Sequence, residues 1–376
     1  MKISRILMSL AAVAMLAVSC SEDDGATSGE GGLVISANPS FILCDGNDAT
    51  TITVMYAGKN VTKSAQIYVG NDATPMATNE FTTTEAGVYE FLASYEVDGQ
   101  TVTTAAKATV SAVVTIPDAP VDSNPSSVNF AHRVLATQFT GTSCSACPYM
   151  IAALIESQEA LADKWVLASV HVNIPAKDAF ANESSTAFAN YMMVNSAPSL
   201  GVNMHRGELS GIYGNLDTDK RIVQSLVNGE HSATTPYAGV AVAVDEVDGQ
   251  IVARVDVKAA TKKKFRVAAW LMEDGLKASQ TGSNSVPGYD MSTHNNVVRE
   301  FRGRPSNANF SGDDLGTLSK GDVETTVYSF DAEANGYNVD NCHVVAMVLT
   351  QNDKGAWIVN NAIDCAVGES VGYAYK

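Results

Sequence analysis

Long apolar runs are scarce in this sequence. After residue 20 no stretch of about eighteen consecutive apolar residues occurs, so no later segment can cross a bilayer as a helix. Positive charge is also short: 24 Lys and Arg against 41 Asp and Glu give a formal charge of −17. That balance repels phosphate backbones and anionic headgroups, which argues against nucleic acid as a partner. There is no Gly-rich phosphate loop, no GxSxG and no HExxH, so nucleotide, serine-hydrolase and zincin readings lack support. A single CxxC with no second one and no nearby HxxxH leaves a four-ligand zinc site short of donors, and neither metal nor cofactor is expected. No repeat of fixed period occurs. What remains is a chain of 376 residues, 45% hydrophobic and 17% charged, enough for two or three packed domains.

The first residues read as processing information. Lys2 and Arg5 precede the thirteen-residue apolar run Ile6 to Val18, which is too short for a stable transmembrane helix and fits a signal-peptide core. It ends Leu16-Ala17-Val18-Ser19-Cys20, which resembles the lipobox of bacterial envelope lipoproteins, although Ala17 stands where Leu is usual. The resemblance implies a signal peptide over 1–19 and acylation of Cys20, with the membrane as a partner through the lipid anchor. Simple secretion with cleavage nearby is the plainer alternative. Ser21 to Gly32 has no large apolar residue and is expected to be a tether reaching about 20 Å. Its acidic cluster resembles the surface-export signal of some Gram-negative lipoproteins, which implies an outer membrane, surface-exposed location.

Three compositional blocks follow. Residues 33–115 are rich in Thr and Val, with strand-length runs broken by Gly, Asn and Asp. Glu85 to Phe91 resembles the tyrosine corner of an immunoglobulin-like β-sandwich. The Asp98-Gly99 turn sets partner numbers to sum to 197, so Tyr95 faces Val102. Cys44 has no partner there and is read as a small buried hydrophobe. Residues 116–127 hold Pro117, Pro120 and Pro125 and are expected to be a stiff linker. Over 128–232 strand-like and helical stretches alternate, the pattern of an α/β domain. From 233 to 376 strands return, with Asp248-Gly249 pairing Val240, Val242 and Val244 onto Val257, Val255 and Ala253, which predicts an antiparallel β-sandwich.

The most informative segment is Thr140-Gly141-Thr142-Ser143-Cys144-Ser145-Ala146-Cys147-Pro148, between a predicted strand and a predicted helix. Two cysteines at this spacing can bond across one turn. The helix's unpaired N–H groups would favour a Cys144 thiolate, the species that attacks disulfides, with Cys147 as the resolving thiol. Fifty-one residues beyond Cys147 comes Ala197-Pro198-Ser199 ahead of the strand-like Leu200 to Met204. Element order and these placements resemble a thioredoxin-like domain, in which a cis-proline would put its backbone beside the sulfurs. His132 and His205 are read as surface or satisfied histidines.

More specifically, residues 128–376 resemble the outer membrane protein 28-related family, envelope lipoproteins with a thioredoxin-like module followed by a β domain. The matching stretches are Phe139-Thr140-Gly141 with Cys144, Cys147 and Pro148; Ala197-Pro198-Ser199 with Val202-Asn203; and Glu273-Asp274 with His294-Asn295-Asn296-Val297-Val298-Arg299. The immunoglobulin-like block lies outside this resemblance; with it, the fold class expected is multi-domain α+β: an immunoglobulin-like β-sandwich, a central thioredoxin-like α/β domain and a C-terminal antiparallel β-sandwich. One position departs from the pattern. Six places before Cys144 an acidic proton shuttle is expected, and Gln138 stands there, an amide that cannot titrate. An inert stabilising disulfide is therefore the competing reading of the motif.

Cys342 and Cys365 pose a second question. A turn symmetric about Asp353-Lys354 sums partners to 707 and sets the two cysteines opposite each other, as a cross-strand disulfide; a bulge at Gly355 shifts the sum to 708 and separates them. The symmetric register matches more apolar pairs and is favoured. Two functions follow for the whole chain: a tethered thiol–disulfide oxidoreductase acting on exported proteins through Cys144, Cys147 and Pro198, or a non-enzymatic surface protein that binds ligands and uses the cysteines only as a staple. No feature sets the oligomeric state.

Overall fold

The computed structural model describes residues 32–304 and 309–376, so Cys20 and most of the acidic tether lie outside the described residues. Strands make up 43% of the described residues and helices 16%. Inward and outward residues alternate along Leu33–Asn38 and Thr50–Tyr56, as a half-buried antiparallel pair requires. With Lys59–Asn60 and Glu80–Phe81 they form one sheet, and Phe41–Leu43, Gln66–Val69, Gly87–Val97, Gln100–Thr103 and Ala108–Val113 form a second. Ile52, Val54, Phe91 and Val110, each fully buried, fill the space between the two in a sandwich-like packing. Tyr89 Oη donates to the Glu85 carbonyl at 3.0 Å. Both Asp-Gly hairpins carry the registers read from sequence: Tyr95 pairs Val102, and Val240 pairs Val257.

The rest of the chain corrects the sequence reading of fold class. Strands Val134–Thr140, Trp165–His171 and Ser199–Val202 do not form a thioredoxin-like α/β domain of their own. They make one end of an eight-stranded sheet that runs on through Val297–Arg302, Lys263–Glu273, Cys342–Gln351 and Trp357–Ala366, with Asp313–Leu318 beside Lys263–Glu273. The join is a parallel contact, Ser169 to Val297, reinforced by the Ser169 N–H donating to the Asn296 carbonyl at 2.8 Å. Pairing between strands more than a hundred residues apart leaves no local pattern, which is why alternation alone reads this block as an α/β fold of its own. Lys263–Glu273 shows the consequence, being buried over its last nine residues. Ala268, Trp270 and Met272 enter one core with Phe139, Phe188 and Phe301, while Phe265, Val267 and Leu271 enter another with Val255 and Phe330.

A four-stranded sheet, Val323–Asp331, Gln250–Ala259, Ala238–Val247 and Glu369–Val371, covers that second core. Helices α1 (Cys147–Ile155), α2 (Gln158–Leu161), α3 (Glu183–Tyr191) and α4 (Leu216–Ala233) lie around the first-named end of the shared sheet. The proline-rich segment is pinned. Lys258 Nζ, on a side chain 4% exposed, donates to the Asp122 carboxylate at 2.9 Å and to the Pro125 carbonyl at 2.7 Å, and Tyr375 Oη donates to the other Asp122 oxygen at 2.7 Å.

Candidate functional site

The strand Val134–Thr140 is buried at every position and stops at Gly141, where a side chain would press on the Val172 carbonyl at 3.0 Å. A short turn follows, and α1 begins at Cys147 with Pro148 in its first turn, where backbone donors have no helical partner. Cys144 therefore lies one turn ahead of the helix. It is disulfide-bonded to Cys147, with Cα atoms 5.4 Å apart, and the Cys147 N–H points at Cys144 Sγ at 3.1 Å. The bond Ala197–Pro198 is cis, and Pro198 is buried. Pairing of Phe139 with Ser199 puts Pro198 and the cysteine turn at the same end of the sheet.

The sulfur that an attacking Cys144 would have to present is covered: Cys144 is 3% exposed and Cys147 fully buried. The segment 278–292 lies over them as a strap. Gln280 Nε2 donates to the carbonyls of Cys144 at 2.9 Å and Gly141 at 3.1 Å, and the Thr281 N–H donates to the Thr142 carbonyl at 2.8 Å. Gly282, at φ +76°, packs so closely that a Cβ there would fall 2.3 Å from the Ser145 carbonyl oxygen.

Beneath the turn is a pair the motif search missed. His171 Nδ1 contacts Asp178 Oδ1 at 3.0 Å with both side chains inaccessible, and Asp178 also accepts the N–H groups of Thr142, Phe180 and Ala181. Burial opposes ionisation of Asp178, but the bond from His171 and the backbone donors outweigh it and hold the carboxyl well below its usual range. A histidine ending a strand with an aspartate seven residues on gives no sequence signal. Gln138 is 3% exposed; its Oε1 accepts from Ser169 Oγ at 3.3 Å and its Nε2 has no partner. Thr140 Oγ1, nearby on the same face, is also buried and unpartnered. Both line a cavity of about 450 Å³ between α1 and the segment 288–296, whose walls also carry Ile151, Leu154, Leu167 and Met291.

Cys342 and Cys365 are not bonded. Both are free, buried thiols in the second core, and burial pushes each up to about 12. Gly355 at φ +81° gives pairs summing to 708 near the turn, and a bulge between Val348 and Leu349 shifts the rest to 709, so Cys365 pairs with Val344. The favoured symmetric register fails on these two irregularities. Cys44 is free and half-buried. Among the described residues no group of three or more His, Cys, Asp or Glu is placed to hold a metal ion.

Residues 215–371 match the family model of outer membrane protein Omp28. That match associates the chain with proteins of the outer membrane and cell envelope. Among solved structures, HBP35 of Porphyromonas gingivalis is similar over 66% of this chain and 80% of its own, with a TM-score of 0.52 at 18% identity, a likeness of fold. Protein AGR_C_4864 from Agrobacterium tumefaciens aligns over 63% of this chain and 95% of its own at 14% identity, with a TM-score of 0.40. No curated protein matches the sequence.

Proposed function

We propose that the chain is a lipid-anchored envelope protein that binds a ligand through its β-rich body and keeps the Cys144–Cys147 disulfide as a fixed tie. The observation that carries this reading is the cover over the bond: Cys144 is 3% exposed beneath Gln280 and Gly282. A disulfide exchanges only when a thiolate reaches one sulfur in line, and a sealed sulfur offers no approach. Gln138 adds to this, since an amide takes no proton from Cys147. Anchoring is supported by the apolar run Ile6 to Val18 with Ser19-Cys20 after it, and display at the surface by the acidic residues that follow.

Incubation of the folded, full-length mature protein with millimolar glutathione or dithiothreitol, followed by alkylation and mass spectrometry, tests the reading. The expected result is a bond that persists in the native protein and is reduced once urea unfolds it. Cys144→Ala/Cys147→Ala is expected to stay folded and lose about 2 kcal/mol, the chain-entropy contribution of so short a loop. Rapid reversible reduction of the native bond would overturn it.

A second reading keeps thiol–disulfide exchange, favoured by the Cys147 N–H aimed at Cys144 Sγ. With the strap lifted, a thiolate of an exported protein would attack Cys144 and expel the Cys147 thiolate. A second thiolate of that protein would then displace Cys144, leaving the substrate oxidised and the pair reduced. The same experiment separates the two readings.

A further inference from the structure

We propose that the cavity between α1 and the segment 288–296 is a binding site for an uncharged amphiphile with a carbonyl or carboxamide head and a short apolar body. This deepens the binding reading above and rests on it. Two polar groups at the cavity floor have no partner in the protein: Gln138 Nε2 on a side chain 3% exposed, and Thr140 Oγ1 on one 2% exposed. A buried donor without an acceptor costs free energy, and two on one wall of one cavity define a polar head site. Ser169 fixes the amide by donating to Gln138 Oε1, which leaves Nε2 directed away from that contact. A ligand carbonyl can accept from Gln138 Nε2, and a carboxamide N–H can in addition donate to Thr140 Oγ1.

The walls set the rest of the ligand. Ile151, Leu154 and Ile155 from α1, Leu167 on the sheet and Met291 on the covering segment give one apolar stripe suited to an alkyl or aryl body, in a lining that elsewhere carries Ser169, His171, Thr293, His294 and Asn296. A volume of about 450 Å³ lies within the range of about 300 to 1,000 Å³ of ordinary small-ligand pockets. No Lys or Arg lines the space, and of its two histidines His171 is taken by Asp178 while burial favours the neutral form of His294, so a carboxylate head finds no free counter-charge. Asp290, exposed at the rim, repels an anion and already binds Ser292 and Thr293. The mouth is open at Ile155, Gln158, Gly288 and Asn295, all exposed.

The test uses octanamide and octanoate as probes on the full mature chain, with isothermal calorimetry for affinity and thermal unfolding for linkage. Octanamide is expected to bind saturably and raise the unfolding temperature, with octanoate at least tenfold weaker. Gln138→Leu removes the donor without adding bulk, and at least tenfold loss for octanamide is expected. Ile155→Trp narrows the exposed mouth without touching the floor and should weaken binding while leaving unfolding of the free protein unchanged. Absence of saturable binding, equal binding of octanoate, or full affinity in a folded Gln138→Leu variant would each overturn the assignment. None of these results bears on whether the disulfide resists reduction, so the two proposals fail separately.

Discussion

At position 138 the chain holds an amide where the thioredoxin-like pattern implies a proton carrier, and the proposed tie rests in part on that residue. Its place was legible only against the thioredoxin-like pattern, which implies an acidic residue six places before Cys144. His171 and Asp178 were not, because their pairing depends on how the strand end folds under the cysteine turn. The same limit applies to His343. Burial alone would lower its pKa, but the hydrogen bond to Asp364 at 2.6 Å and the charge of Asp274, 3.5 Å from the other ring nitrogen, outweigh that and raise it to about 9. A histidine whose folded pKa is raised contributes stability that is fully present below pH about 6.5 and is lost as pH rises through about 9. His343→Asn is therefore expected to cost about 1 to 2 kcal/mol at pH 6, discounted because both carboxylates are partly exposed, and almost nothing at pH 9.5. Urea unfolding at both pH values checks this, and an equal cost at both would remove the ion pair from the account.

Among the elements, the strap covers the disulfide, and its cover depends on a position that only glycine fits. Gly282→Ala meets both a left-handed backbone and the Ser145 carbonyl, so the strap must lift locally. The expected effect is at least a tenfold faster reduction of Cys144–Cys147 by dithiothreitol, read by alkylation and mass spectrometry, with the far-UV spectrum unchanged. No sequence pattern announced this, since a stretch rich in Gly, Ser and Asn reads only as a loop. Hairpins show the complementary case. Asp98-Gly99 and Asp248-Gly249 carry their registers in two residues, whereas the Cys342–Cys365 ladder contains a mid-strand bulge at Val348/Leu349 that no turn residue encodes.

For the molecule as a whole, most strands could be read from alternation and turn residues, but not the sheet each one joins. The block 128–232 has the strand and helix order of an independent domain, yet its edge at Trp165–His171 is completed by Val297–Arg302. A fragment spanning 128–232 is accordingly expected to show no cooperative thermal transition by circular dichroism, whereas 128–376 unfolds in one step. A sharp transition in the short fragment would restore a self-contained domain.

The strap also imposes an order on maturation. Gln280 reaches Cys144 across 136 residues, so the lid over the sulfurs belongs to a part of the chain that emerges later. If the tie is fixed as proposed, oxidation has to be finished while the nascent protein is still open, because docking of the later half would cover the sulfurs. A copy that closes with its thiols reduced would be locked in that state until it unfolds.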